Sequence, residues 1–234
     1  MKFGTMSFLT TLILTGVLTI PGRLAAQSAS SEVTTFDAPG AGTATGSGFG
    51  TFPTSINEGG TITGRYIDAH NVDHGFLRSP SGDEFIAFDA PSAGRTAGSG
   101  QGTFPVSINK AGAITGHYND SNNVNHGFLR TPAGRFIKVD APGAGTAASA
   151  GFGTFPTSIS NGGIITGHFV DANNVSHGFM RTPGGEFTTF AAPGAGSAFG
   201  SGSGTLPDSI NEAGAITGHY SDAHRVNHGF LQSP

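Results

Sequence analysis

Apolar and polar positions alternate along most of this chain. In "AITGHY" (113–118), Ile114, Gly116 and Tyr118 alternate with Thr115 and His117. A period of two belongs to a strand with one buried face. Beyond the N-terminal segment, no stretch carries a helical period of useful length. The same word recurs as "TITGRYID" (61–68), "IITGHFVD" (164–171) and "AITGHYSD" (215–222). Three further words keep the beat: "GTFPTSIN" (50–57), "DHGFLR" (73–78) and "EFIAFDAP" (84–91), each with three counterparts. All are rich in β-branched and aromatic residues and are bounded by Gly, Pro, Asn and Asp, which predicts strands. In chain order they are a strand A ("GTFPTSIN"), B ("ITGHY"), C ("HGFLR") and D ("EFIAFDAP"). Short turns such as Asn57–Gly60 between A and B, and "SPSG" or "TPAG" between C and D, predict hairpins.

The period is near 51 residues. His74, His126, His177 and His228 of the His-Gly-Phe word are 52, 51 and 51 apart. Four antiparallel strands at that period predict an all-β fold of propeller-like blades at about 50–91, 102–142, 153–193 and 204–234. The chain opens on a D word (32–39) and ends on a C word. In a four-bladed ring these ends are neighbours, so the N-terminal strand near Phe36 is expected to pair with the last blade and close the ring, removing open edges. The alternative is an open β-solenoid. Pro53, Pro105, Pro156 and Pro207 all fall in strand A, which suits a strand with one unpaired side.

Composition adds the setting. Lys2, the apolar run Met6–Ile20, the break at Pro21–Gly22 and small residues at Ala25, Ala26 and Ser28 form a signal-peptide pattern. Residues 1–26 are therefore expected to be a leader, cleaved near Ala26, and residues 27–234 one exported repeat domain without a later membrane span. There is no Cys, so disulfides and thiolate metal sites are excluded. With 11 Lys and Arg against 15 Asp and Glu, the chain carries no basic footprint for nucleic acid.

The words "SIN…GxITGxYxD…VxHGFLR" and the aromatic D strand after them resemble the bacterial extracellular HAF repeat family, named for a His-Ala-Phe tripeptide. The resemblance covers about residues 32–234. Here the middle residue is Gly75, Gly127, Gly178 and Gly229. The resemblance implies an exported, propeller-like repeat protein and carries no established activity.

Strand polarity places the B–C loops ("DAHNVDH", "DSNNVNH", "DANNVSH", "DAHRVNH") and the Gly-rich D–A connections on one face. Loops on a rigid scaffold are where ligands are usually met. The candidate residues on this face are His74, His126, His177 and His228 with Asp68, Asp120, Asp171 and Asp222, each Asp six residues before its His. Two roles suit them: a His–Asp bond that pins the loop in every blade, or a ligand site repeated four times, for instance for glycans. Catalysis needs residues with different jobs, and the positions that break the repeat, Arg65, Arg95, Lys110, Asp208 and Arg225, form no nucleophile–base set. "DSNNV" begins like a calcium loop but lacks its later acidic ligands and Gly. His70 with His74, and His224 with His228, are imidazole pairs on loops without a defined carboxylate, so no metal site is assigned. No cofactor is expected. The reading is an exported, non-enzymatic binding module for carbohydrate or cell-surface components, with a secreted hydrolase or lyase at the channel mouth as the alternative.

Overall fold

The computed structural model describes residues 33–198 and 203–234, so the expected leader lies outside the described residues. The chain divides into Met1–Thr35 and the repeat body Phe36–Pro234. All regular structure among the described residues is β, and the sequence words from residue 50 onward fall on the strands. The first repeat is β1 (Gly50–Ile56), β2 (Ile62–Ile67), β3 (Asp73–Arg78) and β4 (Phe85–Phe88). The second is β5 (Thr103–Ile108), β6 (Ile114–Asn119), β7 (Asn125–Arg130) and β8 (Phe136–Val139). The third is β9 (Gly153–Ile159), β10 (Ile165–Val170), β11 (Ser176–Arg181) and β12 (Phe187–Phe190). The fourth has three strands: β13 (Gly204–Ile210), β14 (Ile216–Ser221) and β15 (Asn227–Gln232).

Within each repeat the strands pair antiparallel in chain order. Strand A carries a bulge just after its proline, for example between Pro53 and Ser55, where the proline has no N–H to give to a ladder. Successive repeats meet through a single parallel step from strand C to the next strand A: Asp73 to Gly102, Asn125 to Gly153 and Ser176 to Gly204. Among the described residues no sheet closes on itself: β1–β4 form one sheet, and the remaining eleven strands another.

The D segment has two partners. Its edge pairs with strand C of its own repeat, while its last residues fill the core of the next. Ala90 packs with Ile108, Ile114, Tyr118 and Phe128 of the second repeat, and its N–H donates to Thr103 Oγ1 at 2.9 Å. Ala141 repeats this on Thr154 and Ala192 on Thr205. A second buried threonine ties B to C: Thr63, Thr115 and Thr166 each donate to the carbonyl of Phe76, Phe128 or Phe179 at 2.9 Å. Those three phenylalanines are the most buried large side chains of the fold.

This two-sided role of D corrects the expectation for residues 32–39. Residues 33–38 form no strand. Phe36 packs on Phe76 and Phe85, with centroids 6.4 and 6.1 Å away, and the Ala38 N–H donates to Thr51 Oγ1. The segment fills the first repeat's core as every later D segment fills the core after it; among the described residues β15 pairs only with β14.

Where the repeats meet, aromatic and imidazole rings alternate. Phe104 stacks on His117 at 4.9 Å, His117 meets Phe155 edge-on at 5.3 Å, and Phe155 stacks on His168 at 4.9 Å. Arg65 takes the imidazole's place in the first repeat, lying over Phe52 and Phe104. Burial pushes both imidazoles down to about 4, helped for His117 by the neighbouring His168 and opposed for His168 by Asp208. In the unfolded chain a His titrates near 6.5. As pH falls below about 6.5 the unfolded state takes up protons that the folded state refuses, so stability drops, and the loss is complete near pH 4. Thermal melts should show a falling midpoint between pH 6.5 and 4, and His117→Phe with His168→Phe should flatten that slope. An unchanged slope in the double variant would show that other groups cause the acid sensitivity.

Candidate functional site

One face of the stack carries the long loops, as strand polarity requires. Each B–C loop is a tight Asx turn. Asp68 Oδ1 accepts the N–H groups of His70 and Val72, and Asp120, Asp171 and Asp222 do the same in their loops. The turn places Asn71, Asn123, Asn174 and Arg225 at positive φ, between 58 and 63°. Asn tolerates that conformation better than most residues. The Gly-rich D–A connections lie on these loops: Gly98 N–H donates to His70 O, Gly100 to Asn71 O and Ser149 to Asn122 O.

The second carboxylate oxygen of each loop Asp faces the repeated histidine. His177 Nε2 lies 3.2 Å from Asp171 Oδ2, and His228 Nε2 3.3 Å from Asp222 Oδ2. The contacts from His74 to Asp68 and from His126 to Asp120 are longer, 3.5 and 3.6 Å. Each imidazole also stacks on the aromatic residue of strand B. Tyr66, Tyr118, Phe169 and Tyr220 lie 5.0 to 5.1 Å from His74, His126, His177 and His228. All eight sequence-predicted residues are therefore brought together in pairs, one pair per repeat.

The structure adds a partner that sequence reasoning missed. His74 Nδ1 lies 3.0 Å from Asp89 Oδ1, and His126 Nδ1 2.8 Å from Asp140 Oδ2. Both aspartates come from the end of strand D. The third repeat has Ala191 at that position, and among the described residues the carboxylate that meets His228 is Asp222. The sites are therefore graded, with two carboxylates around His74 and His126 and one around His177 and His228. The signal was present in the words "FDAP" and "VDAP" against "FAAP". The Asp six residues before the His was nearer in sequence and drew the attention first.

Charge follows this geometry. The Asp89 hydrogen bond raises the His74 imidazole above its ordinary value, against burial, with Asp68 adding to the rise. Burial alone would raise the loop carboxyls of Asp68 and Asp171. The N–H groups of Val72 and His70, and the N–H of Val175 with the His177 ring, bring them below the usual carboxylate range. Asp89 and Asp140 are further paired with Arg95 and Lys138, at 3.2 and 2.8 Å.

The residues that break the repeat are mostly accounted for by ion pairs. Arg65 binds the buried Asp73, whose carboxyl burial raises and Arg65 pulls back down. Lys110 pairs with Glu58 at 3.0 Å, and Asp208 with His219 at 3.2 Å. His70 and His224, the outer members of the imidazole pairs, face Asp68 and Asp222. Among the described residues, no group of three or more His, Asp or Glu side chains is arranged to hold a metal ion. Around His126 the loops leave a cavity of about 160 Å³, lined by Val124, Asn125, His126, Asp140, Ala144 and Thr146 among others.

No protein-family model matches this chain, and no curated protein matches it.

His126, like His74, is held from three sides, between Tyr118, Asp120 and Asp140. His126→Ala leaves both carboxylates without this partner and should lower stability by about 1–3 kcal/mol. His228 is exposed, so His228→Ala should cost clearly less. Denaturant melts of the two variants check this, and equal small losses would remove the loop-pin role.

Proposed function

We propose that this chain is an exported, non-enzymatic binding module of the HAF repeat type, with blade-like, propeller-like repeats that bind carbohydrate or other cell-surface components on their loop face. The observation that supports it best is the condition of the titratable residues on that face. His74 and His126 have carboxylates at both ring nitrogens, so neither ring is left to take a proton from a nucleophile. The carboxylates are occupied by loop N–H groups, imidazoles and cations. What the loops of the second and third repeats offer to solvent is a row of uncharged Asn side chains, at Asn122, Asn123 and Asn173, all exposed, while the first and fourth loops present His70, His224 and Arg225. Beside them lies a shallow cavity with mixed polar and apolar walls. Amide side chains suit sugar hydroxyls, and a mixed wall suits a sugar's apolar face. A leader such as residues 1–26 would deliver the module to where such polymers lie.

The test is a glycan and cell-wall polymer array probed with the purified protein. Saturable binding to a polysaccharide is expected, weakened about tenfold or more by Asn122→Ala with Asn173→Ala, with no change in melting temperature. Turnover of a polysaccharide substrate would favour the secreted hydrolase or lyase, and absence of binding to every polymer would contradict the carbohydrate reading.

A further inference from the structure

The two ends of the stack are not alike, and each lacks what the other offers. Between repeats, strand A of the later repeat nests against strands A, B and C of the earlier one, and three kinds of contact recur. First, the N–H of Ile108, Ile159 and Ile210 donates to Ser55, Ser107 and Ser158 Oγ of the preceding repeat, at 3.3 to 3.4 Å. Second, the N–H of Asp73, Asn125 and Ser176 donates to a carbonyl just before the next strand A, that of Gln101, Phe152 or Ser203. Third, strand D, whose last residues fill the core of the later repeat, covers the Gly of the His-Gly-Phe word of its own repeat: Gly75 opposite Phe88, Gly127 opposite Val139 and Gly178 opposite Phe190. A side chain at any of these glycines would collide with that neighbour.

The first and last repeats carry the same residues with no partner in place. Ile56 is 64% exposed, whereas Ile108, Ile159 and Ile210 are 6, 6 and 7% exposed. At the other end Val226 is 51% exposed against 4 to 5% for Val72, Val124 and Val175. Leu231 is 73% exposed, while its counterparts Leu77 and Leu129 pack on the core of the following repeat. Gly229 has nothing nearer than 4.0 Å to a side chain placed on it. The ladder begins at exposed Phe52 and its ring contacts end at His168, because Leu206 stands where the next phenylalanine would be, with His219 beyond it.

We propose that the uncovered face of the fourth repeat receives the leading edge of the first repeat of a second copy, so that chains join head to tail. The junction continues an interface the chain already makes three times. Ile56 N–H meets Ser209 Oγ, Asn227 N–H meets Phe49 O, Phe36 lies over Gly229, and Phe52 meets His219 edge-on as Phe155 meets His117. The contact is heterologous, with different surfaces on the two sides, so it can close into a ring of copies or extend as a filament. One contact is missing. Thr54 and Thr157 hydroxyls donate to Pro105 O and Pro207 O, at 3.0 and 2.8 Å, but the equivalent Asp208 has no proton to give when ionised. The junction therefore lacks a bond that the first and third seams make, as does the second seam at Val106, and because it joins separate chains, association is concentration-dependent.

Sedimentation velocity of the purified protein across a wide concentration range tests this. The wild type should shift from monomer to larger species. Ile56→Asp and Gly229→Val each change a site that no other repeat covers in the single chain, so each should melt normally and remain monomeric, with association weakened at least about tenfold. Mixing the two variants should restore a dimer, because one contributes an intact fourth-repeat face and the other an intact leading edge. Asp208→Thr should tighten association roughly fivefold, as one recovered hydrogen bond does. The proposal is overturned by a monomeric wild type at every concentration, including one whose ends meet within one chain and whose Ile56→Asp and Gly229→Val variants melt early. It is equally overturned if the two variants still associate, or if mixing them restores nothing.

Discussion

The fold rests on the seam between successive repeats, where the end of one D segment drops into the core of the next unit. The N–H of Ala90, Ala141 or Ala192 reaches a buried threonine hydroxyl there, and Phe or Val of the same segment lies over the glycine of the His-Gly-Phe word. A single unit of about fifty residues therefore cannot fill its own core. It borrows its filling from the segment before it and is covered by strand A of the unit after it, which is the nearest-neighbour logic of repeat proteins. The buried threonines, the close-approach glycines and the Phe–imidazole ladder all presuppose that neighbour.

The same seam explains the loop face. Because D crosses from one repeat to the next, its terminal Asp arrives beside the histidine of its own strand C, and the D–A connection lies along the B–C loop. Asp89 and Asp140 can then join Asp68 and Asp120 around one imidazole each. The loss of this Asp at Ala191 leaves the third site with one carboxylate, so a face that looks four-fold in sequence is graded in three dimensions. With its carboxylates engaged in pairs, the face presents the amides of the second and third loops and shallow relief to solvent, which is why we read it as a binding surface.

Much of this was legible in the sequence. The alternation in "AITGHY" became β6, the four words of each repeat became its strands, and the loops gathered on one face. The loop Asp and the repeated His did come together. The destination of strand D was not legible, because a strand's pairing partner and its packing partner are different things. Hydrogen-bond order follows chain order in hairpins, whereas packing across the seam depends on how the sheets overlap. For the same reason Phe36 was assigned to the far end of the chain, although it fills the first repeat. The ion pairs of Arg65 with Asp73 and of Lys110 with Glu58 were hidden likewise, since one spans a hairpin and the other crosses a seam.

The most direct measure of this dependence between neighbours is hydrogen exchange, read strand by strand in the Gly229→Val chain, which leaves the fourth-repeat face uncovered. All four repeats share nearly the same sequence, so intrinsic propensity favours none of them. If neighbours complete each core, the amides of β6, β7, β10 and β11 should be the most protected, and those of β14 and β15 should exchange well ahead of them. Equal protection of β14 and β15 with their counterparts would mean that each repeat holds itself together, which would contradict the account.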